Sequence, residues 1–261
     1  MIGLGLGSQP TTEHGIFGSY QCLSLDGNSD YVLIPDSFII GEAKKFIPES
    51  GTVSVWINIV DNDASANQNI FRFADDNTNN GVTLQYHKTN TEFRAVYRLG
   101  NVYKEATYND AGLTHSEYMA LGWIHFTVTW ISDGAGTGEV KIYYNGALQE
   151  TVSQPNNWGS DDIDIAVIGS NDDQSAAFAD GNIDQFAVFD TVKEATEIQA
   201  IYNGGVMADL TTGYYSGASR TSYTTEGLVL YYQFEGNVLD SSGNNYTGSL
   251  NGTAGFSTSQ P

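Results

Sequence analysis

Oxygen donors crowd most closely in Asp26-Gly27-Asn28-Ser29-Asp30, where Asp26, Asn28 and Asp30 alternate within one turn. That spacing can aim three side-chain oxygens at a common point, as a hard cation such as Ca²⁺ requires, with backbone carbonyls completing the shell. The same residues equally serve as Asx side chains that accept hydrogen bonds from turn amides, and both readings stand. His14, His87, His115 and His125 are scattered, with no His-x₃-His or Cys/His spacing, so a transition-metal centre is not expected. No Gly-x-Ser-x-Gly elbow occurs, although a Ser-His-Asp set gathered from distant segments stays open. Aromatic chemistry centres on Trp158, in the loop-like stretch Asn156-Asn157-Trp158-Gly159-Ser160-Asp161. An indole there can stack on a sugar face or anchor a subunit contact. Tyr86, Tyr97, Tyr103 and Tyr108 are further aromatic candidates.

The segments that must position these residues read as strands. Val53, Val55, Ile57 and Ile59 alternate with Thr52, Ser54, Trp56 and Asn58, and Ile124, Phe126, Val128 and Trp130 share a face of a second strong strand. Similar runs are expected at 21–25, 31–34, 70–74, 82–87, 92–99, 102–108, 138–145, 148–152 and 163–168, with later ones at 228–234 and 247–250. Asn145-Gly146 is the signal of a two-residue type I′ hairpin. Helical periodicity is convincing only near 194–203, where Ile198, Ile201 and Tyr202 form one stripe before Gly204-Gly205. In the preceding strand, alternation puts Asp184 with Phe186 and Val188, and Ile183 with Gln185, Ala187 and Phe189. The expected class is all-β: a two-sheet antiparallel jelly-roll sandwich with one short helix.

Charge narrows the partners. Ten Lys and Arg against 31 Asp and Glu give a formal charge of −21, which excludes a phosphate backbone as natural partner. No stretch reaches the length of a membrane span, so no membrane insertion is expected. The lone Cys22 has no internal disulfide partner and reads as a small buried hydrophobe. Residues 1–19 form a Gly-rich arm without the basic and apolar regions of a secretory leader.

Four blocks in order resemble the laminin-G-like, concanavalin A-like jelly-roll domains: Ser24–Val32, Gly51–Ile57, Trp123–Thr129 with Val140–Gly146, and Gly181–Asp190 with its closing helix. The resemblance implies a sandwich over 20–205 whose Trp and aliphatics fill the space between the sheets. It also implies a structural Ca²⁺ role for Asp184, joining Asp26, Asn28 and Asp30. Catalytic members carry Glu-x-Asp-x-x-Glu or a close variant on one strand; the nearest match here, Asp162-Ile163-Asp164, lacks both glutamates, so no enzyme is expected. The segment 206–261 carries Leu228–Asn244, a block that precedes the first strand in most members. Placed last, it completes the sandwich in permuted order, belongs to a truncated second copy, or pairs with a neighbouring chain; the first is favoured because an unpaired apolar edge is a liability.

The acidic composition, Gly-rich start and tail-last order resemble structural proteins of tailed bacteriophages. The leading functional expectation is therefore a non-enzymatic virion component (capsid decoration, neck or fibre), homo-oligomeric, packing against other virion proteins and presenting loops to host-surface glycan. The alternative is a calcium-supported carbohydrate-binding lectin module, at a cell surface or secreted.

Overall fold

A computed structural model describes residues 21–39, 49–60, 67–75, 80–100, 102–109, 112–132, 136–156, 163–211, 225–259 and 261. The arm at 1–19 and Trp158 lie outside the described residues. The strands are β1 (Cys22–Asp26), β2 (Tyr31–Leu33), β3 (Ser50–Ile59), β4 (Asn67–Ala74), β5 (Gly81–His87), β6 (Glu92–Leu99), β7 (Val102–Tyr108), β8 (Ile124–Ile131), β9 (Gly138–Tyr144), β10 (Ala147–Gln154), β11 (Ile165–Ile168), β12 (Asp180–Phe189), β13 (Leu228–Tyr232), β14 (Ser249–Asn251) and β15 (Gly255–Ser257). The helices are α1 (His115–Ala120) and α2 (Ala195–Tyr202).

The strands form two antiparallel sheets that face each other. The first runs β10-β9-β8-β3-β12-β1-β15, and the second β14-β2-β11-β4-β5-β6-β7. β13 joins the first sheet on the same side of β12 as β1: β1 pairs with Asp180–Ile183 and β13 with Phe186–Phe189. Two strands from opposite ends of the chain thus share one lane of the sheet. The tail also supplies β15 beside β1 and β14 beside β2, so it extends both layers of the same sandwich.

Alternation fills the space between the sheets. Phe126 from the first sheet meets Phe93 from the second with ring centroids 4.2 Å apart, and Phe186 meets Phe71 edge-on at 5.9 Å. Trp130 is 1 % exposed in this interior. Each such aromatic contributes about 1.5–3 kcal/mol by leaving water. Trp56 does not share that space. It is on the far face of β3, stacked on Tyr202 of α2 at 5.8 Å, because helix α2 covers that face.

β12 departs from simple alternation. Its pairing with β3 shifts register between Asp184 and Ala187, and Gln185 takes a left-handed φ of 49°. The extra residue puts Ile183, Phe186 and Val188 together in the main core. Ala187 and Phe189 instead join Ile201, Leu210 and Tyr231 in a second apolar cluster outside the first sheet. The alternation-based grouping of Asp184 with Phe186 and Val188 is therefore corrected: the bulge turns Asp184 to the outer face, opposite Trp56.

Helix α2 is anchored at its start by a reciprocal capping box between Glu194 and Glu197, despite the absence of Ser or Thr at the cap. Lys193, 3 % exposed, reaches Glu197 at 3.3 Å and donates to the Glu226 carbonyl at 2.8 Å. The β9–β10 hairpin turns through Asn145 and Gly146, both at positive φ, as a type I′ turn needs. Gly146 also lets α2 approach, since a Cβ there would sit 3.0 Å from Tyr202. Helix α1 falls where apolar periodicity shows none, because six residues are too few to display it. Its sequence signal is Thr114-x-x-Glu117, which forms a capping box.

Candidate functional site

The acidic turn between β1 and β2 brings Asp26 and Asp30 together, and their oxygens are engaged by the protein itself. Asp26 Oδ1 accepts the Asn28 and Ser29 amides at 2.9 and 3.1 Å. Burial opposes ionisation of Asp26, but these backbone donors outweigh it and hold its carboxyl below the usual range. Asp30 accepts the Asp26 amide at 3.1 Å and the Thr253 amide at 2.6 Å. The tail turn packs so closely here that a Cβ on Gly252 would lie 2.5 Å from Asp30 Oδ1. Asp184 lies elsewhere: Asp26 pairs with Asp180, four residues earlier on β12, about 13 Å along the strand. Asp26, Asn28, Asp30 and Asp184 are thus not one donor set. Among the described residues no three His, Cys, Asp or Glu side chains converge on a metal position. The hydrogen bonds of Asp30 to Thr253 fasten the tail to the first hairpin.

A serine–histidine contact lies on the outer face of the first sheet, with Ser54 Oγ and His125 Nε2 2.8 Å apart. His125 is fully buried beside Trp56 and Tyr202, and burial pushes its pKa down to about 3. It is neutral at ordinary pH. Trp56 is the register partner of both His125 and Asp184, so a whole strand separates the imidazole from that carboxylate. The pair is sealed beneath α2, where it serves packing.

The outer face of the second sheet differs. β6 reads Glu-Phe-Arg-Ala-Val-Tyr-Arg-Leu, with Phe93, Ala95, Tyr97 and Leu99 inward and Glu92, Arg94, Val96 and Arg98 outward. Tyr103 and Glu105 of β7 stand opposite Arg98 and Val96. Arg94 donates to Glu92 at 2.7 Å and to Glu105 at 3.4 Å. Arg72 donates to Thr83 at 3.1 Å and Asp172 at 2.9 Å, and Gln85 to Asn69 at 2.9 Å. These bonds hold guanidinium, amide and carboxylate groups in fixed directions. Tyr103 is 49 % exposed beside them. By contrast Tyr86 and Tyr97 are fully buried, and Tyr108 stacks on Tyr144 at 4.2 Å, so of the four tyrosines named as candidates only Tyr103 is presented outward.

This face sits next to a braced end of the sandwich. Asn156 donates to the Leu99 carbonyl at 3.0 Å, and Gln154 to the Tyr97 and Val102 carbonyls at 2.9 and 3.2 Å. Glu150 of β10 accepts from Thr107 Oγ1 at 3.0 Å. Side chains of one sheet thereby protect the edge strand of the other. The cationic positions of this face were not anticipated, yet the period-two pattern of β6 carried the signal: every second residue from Glu92 to Arg98 is outward, and three of those four are charged.

A family model for the concanavalin A-like lectin/glucanases superfamily matches residues 26–199. No curated protein matches the chain in sequence. Among solved structures, a proposed carbohydrate-binding protein from Bacteroides ovatus superposes with a TM-score of 0.59 at 16% identity, covering 92% of this chain and 60% of that one. This chain thus spans under two thirds of that relative. The heptameric SAP-like pentraxin from Limulus polyphemus gives 0.50 at 15% identity, covering 70% and 82% of the two chains. The binding domain of botulinum neurotoxin serotype D gives 0.50 at 18% identity, covering 71% and 43%. At such identities the likeness concerns the fold, and together with the family match over most of its length it places the chain in the concanavalin A-like lectin/glucanases superfamily.

Proposed function

We propose that this protein is a carbohydrate-binding module that holds glycan without turning it over, and that the outward face of β6 and β7 is its binding surface. The observation that carries this reading is the exposed Tyr103 beside side-chain-braced Arg94 and Glu105. A half-exposed ring offers a flat apolar surface for the C–H face of a sugar, and fixed polar groups around it match hydroxyls at low ordering cost. The superfamily membership and the likeness to a proposed carbohydrate-binding protein support the same reading. The virion role anticipated from the Gly-rich start and the tail has no support from these comparisons, and the lectin alternative takes its place. Such a module acts at a cell surface or outside the cell; among the described residues no helix is long and apolar enough to cross a membrane.

Trp158, outside the described residues, enters the proposal on its sequence alone, as an indole in a stretch rich in Asn, Gly, Ser and Asp. A glycan array followed by titration calorimetry tests the reading. Saturable binding is expected, weakened about tenfold or more, that is by about 1.4 kcal/mol or more, by Tyr103→Ala or Trp158→Ala. EDTA is expected to leave the affinity unchanged, because the acidic turn spends its oxygens on backbone amides. Absence of binding to every glycan class, or binding indifferent to Tyr103 and Trp158, rejects the proposal.

A further inference from the structure

The surplus of acid over base makes each uncommitted cation informative. Of the arginines among the described residues, Arg72 is held by Asp172 and Arg94 by Glu92 and Glu105. Arg98 forms no hydrogen bond or ion pair among the described residues, in a chain with 31 Asp and Glu. It is partly exposed, on the same face as Arg94, and stands directly opposite Tyr103 in the β6–β7 pairing. Glu105, diagonal to it on β7, is already engaged by Arg94. Cross-strand partners lie about 5 Å apart, so a guanidinium and a half-exposed phenol ring share the width of one sugar unit.

We propose that Arg98 and Tyr103 form a subsite for a carboxylated sugar: the guanidinium fork takes the planar carboxylate through paired N–H donors, and the tyrosine ring packs against the pyranose. This rests on the carbohydrate-binding reading and adds the ligand's charge to it. The chemistry favours carboxylate over hydroxyl because Arg donates in a rigid bidentate geometry matched to a planar anion. The chain's net charge of −21 does not prevent this. At physiological salt the Debye length is about 8 Å, so distant carboxylates are screened while a direct contact is not. With the long-range field screened, the short-range, geometry-dependent contact is the source of selectivity.

The test compares trigalacturonate with its fully methyl-esterified form, which keeps the backbone and removes the charge, by titration calorimetry at 150 mM salt (a value of about physiological strength). The intact protein is expected to prefer trigalacturonate by about tenfold to a hundredfold, the range of a charge-assisted hydrogen-bonded pair. Arg98→Gln is expected to erase that preference while leaving affinity for the ester within about twofold. Arg98→Lys restores only part of it, because a point charge lacks the fork. Tyr103→Ala weakens both ligands. If the protein prefers the ester, or if Arg98→Gln keeps the preference with an unchanged melting midpoint, the subsite is wrong and the broader sugar reading survives. If neither form binds and no neutral glycan on the array binds, both fail together.

Discussion

The two outer faces of the sandwich begin alike and end differently. On the first sheet, Thr52, Ser54, His125, Thr127 and Asp184 point away from the main core, as Arg94, Arg98, Tyr103 and Glu105 do on the second. Helix α2 and the segment after it close over the first face, leaving Ser54, His125, Thr127 and Asp184 at most 1 % exposed. The second face keeps its β6–β7 half accessible. Polar residues under a lid are fixed by what they pack against, and any group without a partner costs stability. Polar residues facing water are almost free to change, so their arrangement reports on what they meet. The contrast gives stability to one face and, on the function proposed above, recognition to the other.

Breaking the sealed face has the largest expected effect. Phe189→Ala removes a fully buried ring from the second apolar cluster. It is expected to cost about 3–5 kcal/mol in urea denaturation, with glycan affinity retained in the folded fraction.

Acid comes next. His125 has a folded pKa of about 3 against 6.5 when free, so the unfolded chain binds more protons between those values. Stability is therefore complete above pH 6.5 and falls as the pH drops towards 3. By pH 4 the loss attributable to this group is about 3 kcal/mol, and His125→Gln is expected to remove it, flattening the dependence of the melting midpoint on pH. An unchanged slope would mean that carboxylates alone set the acid limit.

Asp30→Ala frees the tail turn by removing the acceptor of the Asp26 and Thr253 amides. About 2 kcal/mol is expected, together with faster hydrogen exchange in β14 and β15. Gly146→Ala sharpens the point about the lid. Its positive φ and the 3.0 Å approach of Tyr202 predict a loss of about 1–2 kcal/mol. At the other extreme, Arg98→Gln and Tyr103→Ala are expected to change stability by less than about 0.5 kcal/mol while weakening binding. A large loss of stability from either would dissolve the contrast between the faces.

Much of this was legible from residue order. The alternation of Val53 to Ile59 and of Ile124 to Trp130 placed both strands correctly in the interior, and Asn145-Gly146 set its hairpin. Alternation failed in β12, because a bulge is a backbone event and Gln185 carries no side-chain signature of a left-handed φ. Trp56 lies outside the inter-sheet space for another reason. An amphipathic helix can cover an outer face as effectively as a second sheet covers an inner one, and local pattern cannot tell which partner an aromatic meets. Asp26 and Asp30 accept turn amides, as the Asx reading of the sequence has it; the further bond of Asp30 to Thr253, 223 positions away, has no local signal. The tail strand β15 is three residues long, too short to show a period.

β1 occupies a position with a cost in time. It lies between β12 and β15, with Leu23 opposite Ile183 on one side and Phe256 on the other. Neither neighbour exists when the ribosome has made only the first hairpin, so β1 must wait until Ile183 and then Phe256 have been made before it can be enclosed. Pairings this distant in sequence slow folding, and a half-built sheet exposes bare edges meanwhile. For this chain a strand more than 230 residues downstream is what allows the earliest described strand to settle.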